Sequence, residues 1–305
     1  MKKILSLLVL SVLLVSLFSC GGGEKKAEAY LGLGHEIVHD DIENMPFMYV
    51  FAAAAIVDSA NSTVISVALD AYMAMAVIGE NGVVTNESTQ SVNSAAEMGG
   101  AEFDAMVSEI ATAVAGKTAS EIEALITAET EEETAAMYKA IAYAVKTAKS
   151  ACGKSDKPGV ALTGALTATS ADFIASTNGS IKATVEFMAV ALDAEGKVTG
   201  AALDTAQNLT REFDATGALV DPAANFKTKR EKKYDYNMKP ASKIGLEWFE
   251  QAENFCEYLR GKTSTEIGSI GVANGYPTED ALLSGCTMGI SGYITVAVAA
   301  VAAAN

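Results

Sequence analysis

The stretch GLGHEIVHDDIE, residues 32–43, contains the motif H-E-x-x-H. On a helix of a metalloprotease, the two histidines of this motif bind zinc and the glutamate acts as general base. Side chains four residues apart can share a metal ion on a helix, but in a strand they lie about 13 Å apart. Gly32 and Gly34 just before the first histidine, and the β-branched Ile37 and Val38 between the two histidines, favour a strand. We therefore predict a half-exposed first strand with two solvated histidines, His35 and His39, and no protease zinc centre. A weak surface metal contact through one histidine stays open as an alternative.

A basic segment, FKTKREKKYDYNMKPAS at residues 226–242, stands out in an acidic chain. Lysine and arginine bind phosphate or carboxylate, and tyrosine and tryptophan stack on planar rings, so one interpretation is an anion site with an aromatic ledge. Asn237 is expected to adopt a left-handed conformation that directs its neighbours inward. The other interpretation is a solvated loop that balances acidic neighbours. The candidate ligand-binding residues here are Lys229, Arg230, Tyr236, Met238, Ser242 and Trp248.

A second candidate segment is LLSGCTMGISGY, residues 282–293. A helix start rich in glycine and hydroxyl side chains exposes free backbone N–H groups, which bind anions. We expect the last helix to begin at about Thr287, and Ser284, Gly285 and Thr287 to join the candidate ligand site. A simple N-cap is the alternative.

Gly-Lys-Thr occurs twice, at residues 116–118 and 261–263. A nucleotide-binding P-loop needs a glycine five residues before the Gly-Lys pair, where this chain has Ala111 and Cys256. We predict helix corners instead, each with a left-handed glycine and a capping box. The residues concerned are Gly116, Thr118 and Glu121 in the first corner, and Gly261, Thr263 and Glu266 in the second.

The elements that must position these residues occur twice along the chain. Residues 49–72 and 184–207 each contain an apolar run, a turn and a second apolar run that ends Ala-Leu-Asp. Both patterns are typical of β-hairpins, with Asn61 and Gly196 at turn positions that need positive φ.

Helical patterns follow each hairpin in the same order, at residues 101–122 and 246–267, and closing helices are expected at 130–148 and about 287–303. The fold class that we predict is α+β, with two tandem repeats, each an antiparallel sheet covered by helices. The predicted organisation is a lipoprotein signal peptide at residues 1–19, a lipidated cysteine and tether at 20–30, repeat 1 at 31–151 and repeat 2 at 160–305.

The N-terminus has the pattern of a secretory signal. Two lysines precede an apolar run at residues 4–18, and residues 17–20, Leu-Phe-Ser-Cys, resemble a bacterial lipobox. Two or more acyl chains on Cys20 would anchor the protein firmly. We predict lipidation at Cys20 and a location on the cell membrane or outer membrane, facing the extracytoplasmic side; a plain signal peptide with an incidental cysteine is the alternative.

Charge excludes one class of partner. The chain has 22 basic and 38 acidic residues and a net charge of −16. Without residues 1–19, which hold two lysines and no acid, 20 basic residues face 38 acidic ones, a net charge of −18. Such a surface repels nucleic acid, so no nucleic-acid partner is expected.

Abundant alanine and valine and few aromatic residues favour close-packed layers of small side chains. The mature chain's other cysteines, Cys152, Cys256 and Cys286, are too few and too scattered for a disulfide framework, which leaves a Cys256–Cys286 pair or buried thiols.

The second repeat resembles a group of uncharacterised bacterial lipoproteins whose repeats carry Thr-Lys-x-Glu-Leu, Tyr-Gly-Met-Lys, Ser-x-Ile-Gly-x-Glu-Trp and Gly-Lys-Thr. The matching segments here are residues 228–231, 236–239, 242–248 and 261–263, and the likeness covers most of 183–304 and, more weakly, 48–150.

More remotely, the hairpin and the Ser-Gly-x-Thr segment resemble bacterial extracytoplasmic FMN-binding domains. Those domains carry Ser-Gly-Ala-Thr-x-Thr, and the flavin phosphate can be esterified to the last hydroxyl residue. That position is Gly289 in this chain, so the resemblance implies noncovalent FMN, and Asn237 replaces the family's glycine.

The leading functional interpretation is therefore a membrane-anchored binding protein that holds FMN noncovalently for electron transfer with a redox partner protein. The alternative is a non-catalytic envelope or surface module that binds a protein or another small anion. Either interpretation favours a binding protein over an enzyme.

Overall fold

The computed structural model describes residues 27–42, 45–79, 81–91, 100–128, 130–172, 176–220 and 226–305. Cys20 and the signal-like segment lie outside the described residues. The fold is α+β, with antiparallel sheets and helices, as the sequence predicts.

Five antiparallel strands form the first sheet, in the order β4-β3-β2-β1-β5. The strands are β1 Ala29–Ile42, β2 Met45–Asp58, β3 Val64–Ile78, β4 Val84–Ser91 and β5 Ser150–Cys152. The H-E-x-x-H stretch lies in β1, where His35 is opposite Ala52 and His39 opposite Met48. The strand predicted for this stretch is therefore confirmed.

Three antiparallel strands form the second sheet, in the order β6-β7-β8. These strands are β6 Lys157–Thr169, β7 Gly179–Leu192 and β8 Val198–Phe213, and a separate small hairpin consists of β9 Val272–Ala273 and β10 Tyr276–Pro277. Both predicted hairpins are present, as β2 with β3 and as β7 with β8.

The two hairpin turns differ in their left-handed residue. Gly196 has φ +74°, as expected, but in the first turn Ser62 has φ +58° and Asn61 does not. The side-chain oxygen of Asn61 instead accepts hydrogen bonds from the amide and hydroxyl of Thr63, at 3.3 and 2.8 Å. Asn61 closes the turn through its side chain, so the positive φ expected there was wrong.

The helices are α1 Gly100–Val114, α2 Ala119–Glu123, α3 Glu132–Thr147, α4 Lys229–Lys232, α5 Trp248–Tyr258, α6 Ser264–Gly268, α7 Asp280–Leu283 and α8 Ser291–Ala304. Two 3-10 helices, Lys233–Tyr236 and Lys239–Ala241, follow α4. None of the described helices is both long and apolar enough to cross a membrane.

The sheets pack face to face, and the helices cover their outer faces. Alternate residues of the strands point inward, so that Val50 and Ala52 of β2 share one core with Phe187 and Ala189 of β7. On the outer face of the first sheet, the intervening β2 residues pack against α1, α2 and α3. On the outer face of the second sheet, Met188 and its alternate neighbours pack against α5, α6 and α8. The result is four layers, helix-sheet-sheet-helix, with the central core shared by both halves.

Both Gly-Lys-Thr segments form the predicted corners. Gly116 and Gly261 are left-handed, with φ +72° and +74°, and the capping boxes at Thr118 and Thr263 are formed. Each corner is hydrogen-bonded to the start of a hairpin strand: Gly116 N–H donates to Val64 O at 2.9 Å, and Gly261 N–H to Val198 O at 2.7 Å. The motif therefore joins helix to sheet.

Glycines bring strand and helix backbones unusually close. A Cβ at Gly32 or Gly34 of β1 would lie 1.8 or 1.9 Å from a carbonyl oxygen of α3, and a Cβ at Gly159 of β6 would lie 2.2 Å from Ala300 O of α8. Only glycine allows this approach. Layers of small residues, as the composition predicts, thus pack helix against sheet in both halves.

The last helix begins later than predicted. Ser284 ends α7, and α8 starts at Ser291, so the segment between them is not a helix start. The side-chain oxygen of Gln251 accepts the amides of Thr287 and Met288, at 2.8 and 3.1 Å. These N–H groups are therefore satisfied inside the protein, and the helix-start prediction for Ser284, Gly285 and Thr287 is wrong.

Candidate functional site

A groove of about 970 Å³ lies where the two halves meet. Leu31 and Leu33 of β1 and Ala201 and Ala202 of β8 contribute to its lining, together with residues of α3, α4 and α5. The first half supplies α3 and β1, and the second half supplies the other elements. The groove therefore exists only in the assembled fold.

The charge of the groove is opposite to that of the whole chain. Six basic and three acidic side chains line it, whereas acids outnumber bases in the sequence by 38 to 22. The basic residues are Lys146, Lys149, Lys227, Arg230, Lys233 and Arg260, and the acidic residues are Glu231, Glu253 and Glu257. A concave surface of one sign concentrates ligands of the opposite sign, here anions.

The two arginines are held by backbone carbonyl groups. Arg260 donates to Ala151 O at 2.9 Å, and Arg230 donates to Leu203 O through two nitrogens, at 2.9 and 3.1 Å. Arg230 also pairs with Glu253 at 3.2 Å. Both guanidinium groups are therefore fixed parts of the groove wall, and they contribute charge from set positions.

The lysines differ in how far they are neutralised. Lys146 forms an ion pair with Glu123, and Lys149 forms one with Glu253. The ammonium groups of Lys227 and Lys233 form no ion pair or hydrogen bond with any residue that the structure describes. Both residues are exposed. These two lysines are the cations most available to a ligand.

Aromatic rings line the same groove as these two lysines. Tyr234 is 67% exposed, and its ring meets that of Phe249 edge-on at 5.3 Å between centroids. Tyr143 also lines the groove; burial, followed by the charges of Glu231 and Asp204, raises the pKa of its hydroxyl to about 12. It therefore stays a hydrogen-bond donor at neutral pH.

A smaller cavity of about 200 Å³ shares Tyr143 and Glu231 with the groove and is lined by both histidines. His35 is 8% exposed, with its ring 5.1 Å from Tyr143 and 5.4 Å from Phe187. A solvated His35 was expected and is wrong, because β1 at this point is covered by α3 and by the second sheet. His39 is half-buried, and its ring lies 5.0 Å from Phe226, so it is not a solvated side chain either.

His35 and Glu231 form an ion pair across the two halves, with Nε2 and Oε2 3.4 Å apart. Burial lowers the pKa of His35, but the bond to Glu231 and the negative charges of Asp204, Glu231 and Glu36 outweigh it, so the pKa is raised. Burial likewise opposes the charged form of Glu231, but His35 and the Thr228 amide lower its pKa below the ordinary value. The imidazolium and the carboxylate thus stabilise each other.

Asp204 is a buried carboxylate beside this pair. Its Oδ1 accepts the amides of Thr205 at 2.7 Å and Arg230 at 3.0 Å. Burial raises its pKa, against the positive charges of His35 and Arg230. In the first half Asp70 occupies the corresponding Ala-Leu-Asp position, is equally buried, and accepts the Leu162 amide of the second sheet at 3.3 Å.

Three of the candidate residues from the sequence meet in one cluster outside the lining of the groove. Lys229 Nζ lies 5.3 Å from the ring centroids of both Tyr236 and Trp248, and 3.4 Å from Tyr293 Oη. Trp248 Nε1 donates to the same hydroxyl at 3.1 Å, and Tyr236 donates to Gln207 at 3.0 Å. The basic segment thus does fold back onto the last helix, but these side chains mainly contact each other.

The other candidate residues are more scattered. Asn237 is left-handed, with φ +56°, as predicted, and the Met238 side chain packs on the same core as Trp248. Ser242 Oγ accepts Gln251 Nε2 at 3.0 Å, so that Gln251 links Ser242 to Thr287. Ser284 is exposed and donates to Ala281 O, and Gly285 lies against Asn254. Arg230 is the one candidate residue that lines the groove.

The sequence did not predict the burial of His35, and it assigned no functional role to Glu186, Asp204, Glu231, Gln251 or Tyr293. The repeated Ala-Leu-Asp was a usable signal, because an acid that ends two apolar runs must be paired if it is buried. The groove itself had no signal, since its lysines come from segments far apart in sequence.

The geometry of the described residues supports neither a metal centre nor a reactive cysteine. Among the residues that the structure describes, no group of three or more His, Cys, Asp or Glu side chains is placed to hold a metal ion. Cys152, Cys256 and Cys286 are free thiols. Burial raises the pKa of Cys256 to about 12 and that of Cys286 to about 11, so neither is an activated nucleophile.

No protein-family model, curated protein or solved structure matches this chain.

Proposed function

We propose that this protein is a lipid-anchored, extracytoplasmic binding protein for a small anionic ligand, and that the ligand binds in the groove between the halves. The observation that carries the proposal is the reversal of charge, because a chain with a net charge of −16 places six cations around one concave surface. Four of the six are paired with carboxylates, but Lys227 and Lys233 have no acidic partner among the described residues, so an anion in the groove would offset their charge.

The ligand that we propose to test first is FMN, bound noncovalently. Lys227 and Lys233 would hold its phosphate by charge-assisted hydrogen bonds, and Tyr234 and Phe249 would contact its ring. The resemblance to FMN-binding domains motivates this choice, although the groove replaces the site at Tyr236, Trp248 and Thr287 that the sequence suggested. The flavin would supply the redox chemistry, and the protein would supply position and charge.

The test is a titration of the full chain with FMN, followed by flavin fluorescence. Replacement of both Lys227 and Lys233 by alanine is expected to weaken FMN binding by roughly tenfold or more, since each charge-assisted bond contributes roughly 1.5–3 kcal/mol before screening by water. The matched control is the double variant Lys239→Ala with Lys243→Ala, which removes two exposed lysines of the same segment that do not line the groove.

Riboflavin, which lacks the phosphate, is the matched ligand control. It should bind more weakly than FMN, and equally well to the two double variants. Equal loss of FMN binding in both double variants would show a general charge effect and reject the groove lysines as the site. No FMN binding by the wild-type chain would reject the flavin and leave other small anions to be tested by competition.

A second candidate function is an envelope module that binds a protein. The hairpin of β9 and β10 favours it, because Val272 and Tyr276 are 42% and 55% exposed on either side of a left-handed Asn274-Gly275 turn. A protein contact there would be weakened by Tyr276→Ser in sedimentation experiments, while FMN binding stayed unchanged.

We also propose that the two halves are copies of one repeat. The same order supports it in each half: a hairpin, a helix, a Gly-Lys-Thr corner, a short capped helix and a closing helix. The basic segment, which holds α4 and the groove lysines Lys227 and Lys233 on either side of it, is then an addition to the second copy only.

A further inference from the structure

The short helix α4 lies between the two lysines that the groove offers to an anion. Lys227 comes directly before the N-cap of α4, and Lys233 is its C-cap residue. Arg230, inside the helix, also lines the groove. A helix of four residues has little stability of its own, so its contacts with the two halves determine where these cations lie.

The capping box of α4 differs from its counterparts elsewhere in the chain. The helices α2, α4 and α6 each begin with a Thr-x-x-Glu capping box. In α2 and α6 the glutamates, Glu121 and Glu266, are exposed and form no ion pair with a histidine in the part of the chain that the structure describes. In α4 the oxygen Oε2 of Glu231 accepts the Thr228 amide at 2.8 Å and also lies 3.4 Å from His35 Nε2.

Both halves hold α4 through polar contacts. From the second half, Asp204 Oδ1 of β8 accepts the Arg230 amide at 3.0 Å. From the first half, His35 of β1 forms its ion pair with Glu231. Loss of the imidazolium charge would therefore leave α4 without this ionic contact with the first half, while the contact with β8 stayed in place.

Glu231 is also part of the wall of the groove, as well as of the smaller cavity that His35 lines. A carboxylate in the wall of an anion site repels the anion unless a cation neutralises it. His35 is 8% exposed, and salt and water screen such a buried charge less than a surface charge. The charge of His35 thus determines whether Glu231 acts on a bound anion as a neutralised group or as a free carboxylate.

The groups that face His35 come from five elements. They are Glu36 of β1 with its ion-pair partner Lys139 of α3, Tyr143 of α3, Phe187 of β7, Asp204 of β8, Glu231 of α4 and, beside Asp204, Arg230 of α4. Burial lowers the pKa of His35, but the three carboxylates outweigh it and raise the pKa. His35 therefore exchanges its proton in the neutral range, near the pH at which histidine ordinarily does.

We propose that proton binding at His35 regulates anion binding in the groove. The imidazolium neutralises Glu231 and holds α4 in place, with the groove lysines on either side of the helix. When His35 loses its proton, Glu231 repels the anion and α4 loses its ionic contact with the first half, so affinity falls as the pH rises. By linkage, a bound anion makes His35 harder to deprotonate. This regulation rests on the proposed function of the groove.

The test uses riboflavin 5′-sulfate with the full chain, because the sulfate keeps one negative charge where the phosphate of FMN titrates, at about pH 6. Flavin fluorescence measures binding from about pH 5.5 to 8.5. The wild type and the matched control His39→Gln are expected to bind roughly fivefold more weakly at the upper end. His35→Gln should bind with an affinity that does not change with pH. The wild-type pH dependence in this variant would overturn the proposal.

A second variant covers the case that His35→Gln does not fold. Glu231→Gln removes the charge from the other partner and keeps a side-chain oxygen that can accept the Thr228 amide. It should also bind the sulfate with an affinity that does not change with pH. Retained pH dependence in Glu231→Gln would show that His35 does not act through this carboxylate and would reject the mechanism.

Hydrogen exchange in the ligand-free protein tests the hold on α4 separately. The start of α6 is the internal reference, because it has the same capping box without a histidine. Protection of the amides of α4, relative to those of α6, is expected to fall several-fold from about pH 5.5 to 8.5 in the wild type but not in His35→Gln. A constant ratio in the wild type would reject the hold of His35 on α4.

The failure of this regulation can be told apart from the failure of the groove as a site. Binding of the sulfate by the wild type with equal affinity at every pH would overturn the regulation and leave the groove as the anion site. No binding at any pH would reject the groove for this class of ligand, and its regulation with it.

Discussion

His35 is a buried residue at which the two halves meet electrostatically. It lies in β1 of the first half, and its charge is balanced by Glu231 and Asp204 of the second half. Burial of an imidazolium is costly, and here the neighbouring carboxylates outweigh that cost. The protonation state of His35 should therefore affect how firmly the halves are joined.

Because the pKa of His35 is raised in the folded protein, its contribution to stability is fully present below about pH 6.5 and is lost as the pH rises through the raised value. We expect the free energy of unfolding to fall over this window in the wild type. The variant His35→Gln should lack this component, and the matched control His39→Gln, in the same strand, should retain it. Urea unfolding at a series of pH values measures all three proteins, and parallel curves for wild type and His35→Gln would contradict the assignment.

At the scale of elements, helix and sheet are joined by backbone contacts that depend on glycine. Gly32 and Gly34 let β1 approach α3, and Gly159 lets β6 approach α8. In each half, the Gly-Lys-Thr corner between two helices is hydrogen-bonded to the start of a hairpin strand. Small side chains thus determine the spacing of the layers.

Gly34→Ala should therefore destabilise the protein by about 1–3 kcal/mol or more, since its Cβ would lie 1.9 Å from Ala140 O and 2.4 Å from Ala144 N. Gly289→Ala is the control, because a Cβ there meets nothing closer than 3.8 Å. Urea unfolding gives the difference. Equal stability of the two variants would mean that β1 and α3 are not held at this distance.

The elements that were predictable from sequence are those with local causes. Alternation and turn residues located both hairpins, and glycine with a capping box located both corners. The start of α8 was missed because a side chain distant in sequence, Gln251, takes the amides of residues 287 and 288. The burial of His35 was missed for the same reason, since α3 and the second sheet cover it from elsewhere in the chain. The groove depends on the packing of both halves, which no local pattern encodes.

At the scale of the molecule, the two sheets share one core, so neither half has a complete interior of its own. Residues 27–152 and 157–305 expressed separately should each expose the apolar inner face of a sheet. We expect both fragments to bind a hydrophobic dye and to lack cooperative unfolding, unlike the whole chain. Two soluble fragments with sharp unfolding transitions would show that each half is an independent domain.

Anchoring also belongs to this scale. If Cys20 is lipidated, Cys20→Ala should move the protein from the detergent phase to the aqueous phase and remove the acyl mass, while Cys152→Ala should do neither. A Cys20→Ala protein that is still acylated would place the anchor elsewhere.

The proposed ligand site is the groove between the halves. It is tested most directly by a crystal structure of the mature chain with FMN. We expect the phosphate between Lys227 and Lys233 and the flavin ring against Tyr234 and Phe249. Two results would contradict this site: ordered flavin against Tyr236 and Trp248, or an empty groove at saturating FMN.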